Sequence, residues 1–512
     1  MASFVRLSPH SLGTRIDASY YRPEYVANAR RLAISRVGSA KLGSLVTDGR
    51  RTLYFGTTTL EGNEAPTDWI PFLTSDDLGD DGFFVETRAR RRVAPYFLRD
   101  YPSGRLRSGE LLVKVKGPSQ ITAYIDTAPE YPVLVSGTIW GALVRKDTID
   151  PHYLVAALSC PYAAMARTRL RTNLNVEFLG ADDLLALDLP KPAILVQRYI
   201  GNKVRQAERM REQARSMRLQ LEALLSSPEL VEALAATEKQ ASRVRCVDLH
   251  PRLDAKYYGI RAMTVLQVAA TDSVAIATLV KEISNGFEHR DFESDGTPYI
   301  TVTEVSSGRL TLATAPRLGS GVAIPNKARI DTHCALVVRT GSIGVAVPVF
   351  EEDAHAVISS HLIRLRFASE QEAATVAAFL NSEAGRVLLR KISYGAVQPQ
   401  IGQDELLALP LPMVLLDKSD EILKVLKIED AASRAAVRLT SAAMLLVEHL
   451  IDGRISEAEL VAAQESLEAG DRSADREILS SLRQSDTANA EPLIPDLDAL
   501  YALLDDSEED EG

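Results

Sequence analysis

Short apolar runs alternate with segments of helical periodicity, so the hydrophobic pattern predicts a chain that mixes strands and helices. Consecutive apolar residues predict buried strands at Leu111–Val115, Leu336–Arg339 and His361–Phe367. Apolar residues at helical spacing predict helices at Tyr153–Leu158 and Gln371–Leu380. The expected fold class is therefore α+β.

The chain contains one internal repeat, which is a feature to establish before any fold is assigned. Three segments recur in the same order with nearly constant offsets of 237, 224 and 222 residues. They are Arg15–Tyr21 with Arg252–Tyr258, Gly109–Gly117 with His333–Gly341, and Asp182–Pro190 with Asp404–Pro412. Small differences between the offsets are what loop deletions produce. The sequence thus predicts two similar mixed domains, each ending in a short helix that leads into a proline.

A long helical segment follows each copy of the repeat, at Gln197–Leu225 and Asp420–Leu450. The first has apolar residues three and four positions apart, which is the spacing of a coiled-coil seam: Ala207, Met210, Ala214, Met217, Leu221 and Leu224. The second has small residues on one side that would allow close approach: Ala432, Ala436, Leu439, Ala443, Leu446 and Leu450. Either each helix packs on its own domain, or the two pair as an antiparallel coiled coil. We expect pairing, because both helices follow equivalent positions of the repeat.

These patterns give a domain plan. It has a first domain at 1–195, a long spacer helix at 196–240, a second domain at 246–414, a second long helix at 415–450 and an acidic C-terminal extension at 451–512.

The net charge of −11 is unevenly distributed. Residues 451–512 hold 18 Asp and Glu against 4 Lys and Arg, so this extension carries −14 and the remainder carries +3. A weakly basic body leaves DNA binding open. The extension could compete with DNA for the basic face or dock a basic partner, but acidic tails of this kind are usually solvated and partly disordered, and we expect that here.

Composition and motifs exclude several classes of protein. Three widely separated cysteines form neither a disulfide framework nor a metal pair, and the first residues lack the apolar stretch of a secretory signal. No apolar run reaches the length of a membrane span. We therefore expect a cytoplasmic protein without a membrane partner. Phosphate-binding loops, dinucleotide-binding glycines, an adenine-methyltransferase motif and a zinc-ligand spacing are also missing, so we expect no catalysis, no metal and no directly bound cofactor.

Candidate DNA contacts are cations and amide side chains in polar loops. In the first half they are the arginines Arg50, Arg51, Arg88, Arg90, Arg91, Arg92, Arg105, Arg107, Arg169 and Arg171. In the second half they are Asn285, His289, Arg290, Tyr394, Gln398 and Gln400. The alternative is that the arginines form a solvated basic face and that the amides are ordinary loop residues. We expect Tyr20, Tyr21, Tyr257 and Tyr258 to anchor the entry segments instead.

The order of these motifs resembles the specificity (S) subunits of type I restriction-modification systems. The segment Arg-Ile-Asp-Ala-Ser-Tyr-Tyr-Arg-Pro-Glu-Tyr at 15–25 is similar to the opening of many such subunits. Three later segments also resemble the family: Gly-Thr-Pro-Tyr-Ile-Thr-Val-Thr-Glu-Val at 296–305, Val-Val-Arg-Thr-Gly-Ser-Ile-Gly at 337–344 and Ser-Tyr-Gly-Ala-Val-Gln-Pro-Gln-Ile at 393–401. The resemblance covers about 1–450 and is better in the second half. In the first half, 167–175 takes the place of the Gln-Pro-Gln stretch, and the acidic extension lies outside the usual pattern.

The resemblance implies two target-recognition domains that each read one half of a split, asymmetric double-stranded DNA target. It implies that the helices set the unread gap and dock two methyltransferase subunits, which carry S-adenosylmethionine, and that a motor-nuclease subunit can join. The recognition subunit itself would have no catalysis. Two alternatives stay open: a similar recognition subunit of another phage-defence system, and a protein-binding scaffold that does not bind DNA. A stand-alone nuclease would need a carboxylate cluster that the sequence does not show.

Overall fold

The computed structural model describes residues 17–61, 65–78, 90–117, 121–172, 177–236, 249, 252, 254–395, 398–483 and 491–509. The chain divides into two compact units. Unit 1 comprises Met1–Glu212 and Ser433–Gly512, and unit 2 comprises Gln213–Ala432. The division falls within both long helices, whereas the predicted plan treats each helix as a segment of its own.

Unit 1 contains a two-stranded ribbon and two four-stranded sheets. Its strands are β1 (Ser39–Lys41), β2 (Val46–Arg50), β3 (Leu60–Glu61), β4 (Ile70–Leu73), β5 (Arg91–Val93), β6 (Glu110–Lys114), β7 (Thr122–Ile125), β8 (Leu134–Val135), β9 (Ile139–Val144) and β10 (Asp188–Pro190). One sheet is antiparallel with the order β2-β9-β6-β7. The other has the order β3-β5-β4-β8, in which β4 and β8 are parallel, and β1 pairs with β10.

The first helices of unit 1 are α1 (Pro23–Ile34), α2 (Leu42–Leu45), α3 (Tyr96–Asp100), α4 (Pro151–Ser159), α5 (Pro161–Leu170), α6 (Ala181–Leu185) and the first part of α7 (Ile194–Leu225). Their apolar residues share a core with the antiparallel sheet, except that Phe97 of α3 packs with the second sheet. Strand β6 alternates between two cores: Leu111 and Val113 face the helices, whereas Leu112 packs into a separate cluster on the other side. This is the period of two that a strand buried on both faces shows.

Unit 2 has the same kinds of sheet. Its strands are β11 (Ser273–Ala275), β12 (Glu282–Asn285), β13 (Thr297–Ile300), β14 (Arg317–Leu318), β15 (Cys334–Val338), β16 (Ala346–Pro348), β17 (Val357–Ile358), β18 (Leu362–Arg366) and β19 (Pro410–Pro412). The antiparallel sheet has the order β12-β18-β15-β16, the second sheet has the order β14-β13-β17 with β13 and β17 parallel, and β11 pairs with β19. Its helices are α8 (Pro228–Leu234), α9 (Ile260–Ala269), α10 (Ile276–Leu279), α11 (Glu370–Asn381), α12 (Glu383–Ile392), α13 (Gln403–Leu407), α14 (Met413–Asp417) and the first part of α15 (Ser419–Asp452).

The two units are structural copies of each other, and the α+β fold class is confirmed. The antiparallel sheets match strand for strand in pairing order, and each second sheet contains one parallel pair. Each entry motif contains an aspartate that caps a short 3-10 turn: Asp17 accepts from the Tyr20 amide at 3.0 Å, and Asp254 accepts from the Tyr257 amide at 3.1 Å. The residues 15 and 16 that open the first motif lie outside the described residues.

The two long helices contact each other within each unit. In unit 1 Arg211 of α7 donates to Thr440 of α15 at 2.9 Å, and in unit 2 Arg218 of α7 donates to Glu429 at 2.7 Å. The predicted seam of α15 is buried throughout, and Ala207, Met210 and Ala214 of α7 are buried as well.

The described part of the acidic extension is folded, which corrects the expectation of a solvated tail. It forms α16 (Glu457–Glu468), α17 (Ser473–Ser481) and α18 (Leu497–Glu509), whose apolar residues join the core of unit 1. Asp475 of α17 is 1% exposed and accepts hydrogen bonds from Tyr199 and Lys203 of α7 at 2.6 Å each. Although burial opposes its ionisation, Lys203 and the tyrosine hydroxyls hold the pKa of Asp475 below its usual value. Apolar residues at helical spacing in this extension indicate amphipathic helices, whereas its net charge alone indicates a solvated tail.

None of the described helices combines the length and the apolar character that a membrane span requires.

Candidate nucleic-acid interface

Three exposed arginines of unit 1 lie on and beside the second sheet. Arg91 begins β5, which pairs with both β3 and β4, and its side chain is exposed. Arg90 and Arg105 are also exposed, and Arg105 lies directly after the turn Pro102–Gly104. These three guanidinium groups can reach phosphate oxygens without any rearrangement of the core. Arg88, which was predicted with them, lies outside the described residues.

A second group of predicted arginines surrounds one buried carboxylate. Glu110 opens β6 and is fully buried. Arg50 donates to it from Nε at 2.8 Å and from a terminal nitrogen at 2.7 Å, and Arg107 donates at 3.1 Å. Arg50 also donates to the carbonyl of Arg105 at 2.7 Å. Because these guanidinium groups are engaged, they fix the end of β2 against the loop before β6.

Two further arginines donate to backbone carbonyls at the borders of loops. Arg92 donates to the carbonyl of Trp69 at 3.0 Å. Arg51 donates to the carbonyl of Gly137 at 2.8 Å, and its guanidinium lies 4.5 Å from the centroid of the Phe178 ring. Burial lowers the pKa of Arg51, but a guanidinium stays charged at neutral pH. Arg51 therefore presents a fixed positive charge at the edge of the antiparallel sheet.

Arg169 and Arg171 hold parts of unit 1 together. Arg169 donates to the carbonyl of Tyr20 at 2.9 Å and lies 4.0 Å from its ring centroid. Unit 2 contains the same arrangement, in which Lys391 donates to the carbonyl of Tyr257 at 2.6 Å and lies 3.2 Å from that ring. Burial, followed by the charge of nearby Arg252, lowers the pKa of Lys391 to about 8. Arg171 forms an ion pair with Glu177.

The entry tyrosines thus serve as anchors through cation–π contact, as well as through apolar packing. Tyr258 is 6% exposed, and its hydroxyl donates to the carbonyl of Arg252 at 2.8 Å. DNA contact by Arg169 stays a prediction, but its guanidinium already has a structural partner.

In unit 2 the structure brings the predicted amide residues together at one edge. Tyr394 and Gln400 pair through their backbones at 2.9 and 2.8 Å, and Gln400 also bridges to Thr340. Asn285, at the end of β12, accepts from Gln403 at 3.2 Å. Gln398 is exposed in the same loop. Gln403 was missed by the sequence reasoning, although it lies three residues beyond Gln400.

His289 and Arg290 lie in a different loop, which follows β12. A ring nitrogen of His289 lies 2.6 Å from the carbonyl of Asp291, and Arg290 donates to Glu288 at 2.5 Å. The Arg290 side chain is 84% exposed. Arg290 is therefore accessible to a partner. Binding a partner would break only its solvent-exposed ion pair with Glu288, which contributes little to stability.

The equivalent edge of unit 1 has different chemistry. Gly341 donates to the carbonyl of Pro399 at 3.2 Å in unit 2, and Gly117 donates to the carbonyl of Glu177 at 2.9 Å in unit 1. Both glycines have a φ of 92°, a conformation that favours glycine. The counterpart of the Gln-Pro-Gln stretch therefore includes Glu177 and its neighbour Phe178, just beyond the predicted 167–175. An acidic and an aromatic residue in one unit thus replace proline and glutamine in the other.

Among the residues that the structure describes, no group of three or more His, Cys, Asp or Glu side chains could hold a metal ion. The polar edges are instead rich in arginine, amide and aromatic side chains, which are the groups that contact phosphates and base edges.

No family model and no curated protein matches the sequence. The structure is similar to that of a type I restriction-modification S subunit from M. genitalium, with 11% identity and a TM-score of 0.41, over 83% of this chain and 97% of that one. It is also similar to the HsdS subunit from Thermoanaerobacter tengcongensis, with 16% identity and a TM-score of 0.27. That match covers 82% of this chain and 97% of the other. A third similar structure comes from a study of complex assembly and conformational transition of the type I R-M system. It has 15% sequence identity and a TM-score of 0.27, and the match covers 82% of this chain and 98% of that one. Each of the three matches covers most of this chain and nearly all of the other chain.

Proposed function

We propose that this chain is the DNA-recognition subunit of a type I restriction-modification complex, in which each unit reads one block of a bipartite, asymmetric target. The observation that carries the proposal is the structural repeat. One scaffold occurs twice, and the residues at its equivalent edges differ. Two copies of a scaffold with different contact residues are suited to reading two different short sequences.

The difference between the units extends to their buried charges. Unit 1 buries Glu110 and supplies Arg50 and Arg107 to it. Unit 2 buries Arg364 on β18, whose side chain is 3% exposed, and pairs it with Glu282 of β12. The two ion pairs lie on different strands of the two sheets, so the copies differ in their internal polar residues as well as at their edges.

In this proposal the paired helices α7 and α15 set the unread gap between the two blocks and dock methyltransferase subunits. Those partners carry S-adenosylmethionine and the chemistry, while this chain contributes sequence choice alone. A motor-nuclease subunit would complete a restriction complex. The same architecture would serve a recognition subunit of another defence system, and the identity of the partner genes distinguishes the two.

A footprint tests the proposal directly. The full chain, purified with the methyltransferase encoded beside it, is bound to DNA that carries its methylation motif and probed with hydroxyl radicals. We expect two protected blocks separated by a gap of constant length. Protection of a single continuous block would contradict bipartite recognition, and protection by the methyltransferase alone would contradict a recognition role. The absence of any protection would favour a protein-binding scaffold.

A further inference from the structure

The loop that follows β2 in unit 1 exposes two large apolar side chains. Phe55 is 79% exposed and Leu53 is 56% exposed, on either side of Tyr54. Gly56 follows with a φ of 64°, so the chain turns directly after Phe55. Single exposed apolar residues are common on proteins. Two on one short loop, close to several arginines, call for a specific explanation.

The backbone of this loop is fixed even though its side chains are exposed. The Tyr54 hydroxyl donates to the carbonyl of Val135 at 2.8 Å, and the Tyr54 ring lies 5.2 Å from Phe72 and 4.9 Å from Tyr101. The Phe55 amide donates to the Tyr101 hydroxyl at 3.1 Å. An aromatic cluster therefore holds the loop from behind. Phe55 is presented on a rigid support, which lowers the entropic cost of using it as a contact.

Cations lie near the base of the loop. Arg51, two residues before Leu53, donates to the carbonyl of Gly137. The hydroxyls of Thr52 and Ser103 lie 3.4 Å apart, and the exposed Arg105 follows Ser103 by two residues. An apolar tip beside arginines matches a nucleic acid, which offers phosphates next to a stack of bases.

Unit 2 carries a comparable loop in the equivalent place, after β12. It exposes Phe292, which is 42% accessible, and Arg290. Phe292 lies 5.5 Å from the ring of Tyr299, so an aromatic residue again supports the exposed ring. The sequences of the two loops differ, but both present a phenylalanine and an arginine.

We propose that Phe55, with Leu53 beside it, is an apolar wedge that inserts at a base step of the block read by unit 1. This proposal rests on the proposed function, because it requires unit 1 to bind DNA. The arginines place the loop on the backbone, and the phenylalanine stacks against a base that it partly unstacks from its neighbour. A wedge of this kind selects base steps that unstack at low cost, so it contributes to sequence choice without hydrogen bonds to base edges.

The test uses the full chain with its methyltransferase and a duplex that carries the methylation motif, with 2-aminopurine placed at successive positions of each block. The wild-type complex should raise 2-aminopurine fluorescence at one step. Phe55→Ala should abolish that increase and lower affinity about tenfold, the loss expected for one base–aromatic stack. The slope of log K against log salt should stay unchanged, because no phosphate contact is lost.

The matched control is Ile34→Ala, which removes an apolar residue that is 82% exposed elsewhere in unit 1. It should leave affinity and fluorescence unchanged, and Phe55→Trp should retain both. Because Phe55 is exposed, Phe55→Ala should unfold at the wild-type temperature. The proposed role of Phe55 is contradicted if the Phe55→Ala variant binds DNA and raises 2-aminopurine fluorescence as the wild type does. A wild-type complex that fails to bind the duplex contradicts the proposed function instead.

Discussion

The candidate DNA-contacting arginines of unit 1 include two groups that differ in what their guanidinium groups contact. Arg50 and Arg107 bind the buried Glu110, whereas Arg91 and Arg105 are exposed to solvent. In sequence Arg91, Arg105 and Arg107 belong to one basic run and Arg50 lies in an earlier polar loop, and nothing local marks which arginine faces inward. The only signal was Glu110 itself, a charged residue at the start of an apolar strand.

Replacing the buried carboxylate should destabilise unit 1. Glu110→Gln leaves Arg50, whose side chain is 13% exposed, without its counter-charge. The free energy of unfolding should fall by about 3 kcal/mol, because an uncompensated charge stays buried. Urea unfolding of the full chain measures this.

The control for that change is Arg99→Gln, which breaks an ion pair with Asp100 in which both side chains are exposed. Its effect should stay within about 0.5 kcal/mol. Equal losses for the two variants would show that the Glu110 cluster is not a buried structural element.

The exposed arginines should act through phosphates. Arg91→Gln should reduce the slope of log K against log salt by about 0.9, the value for one lost phosphate contact. Arg476→Gln, which removes an exposed arginine of α17, should leave the slope unchanged. Titrations of a fluorescent duplex at four salt concentrations measure both slopes. An unchanged slope for Arg91→Gln would place the DNA elsewhere on the unit.

At the scale of elements, the sequence located the two long helices and several of the short strands and helices. The five short strands and helices that it placed are confirmed, because buried runs and helical periodicity are local signals. Strand β6 lies at Glu110–Lys114 and helix α11 at Glu370–Asn381, both within two residues of the predicted segments. The partner of each strand could not be read locally; the repeat was informative because it required both halves to adopt one topology.

The acidic extension shows where a compositional rule failed. Its charge predicted solvation, yet three helices place their apolar faces on unit 1, and a buried lysine binds Asp475. Net charge describes the exposed faces of an amphipathic helix and says nothing of the buried one. Helical periodicity is therefore the better indicator of structure in such a segment.

The small residues on α15 should be essential to the close approach of the helices. Ala436 is 1% exposed, so Ala436→Leu should cost about 2 kcal/mol through overpacking. Val437 is 44% exposed on the same helix, and Val437→Leu should change stability by less than about 0.5 kcal/mol. Thermal unfolding of the two variants distinguishes them. Similar unfolding temperatures would mean that the seam is loosely packed.

At the scale of the whole molecule, the account predicts modular specificity. Exchanging residues 1–195 for those of a related subunit should change one block of the target and leave the other block unchanged. The methylation motif of the chimera, compared with that of each parent, measures this. A change in both blocks would show that the units do not read DNA independently.

The most direct test of the central claim is single-molecule methylome sequencing. A host free of DNA methylation would express this chain with its neighbouring methyltransferase. The account predicts one split motif, with two short defined blocks around a gap of fixed length and different sequences on its two sides. A continuous or palindromic motif, or no motif from a methyltransferase shown to be active with another recognition subunit, would contradict it.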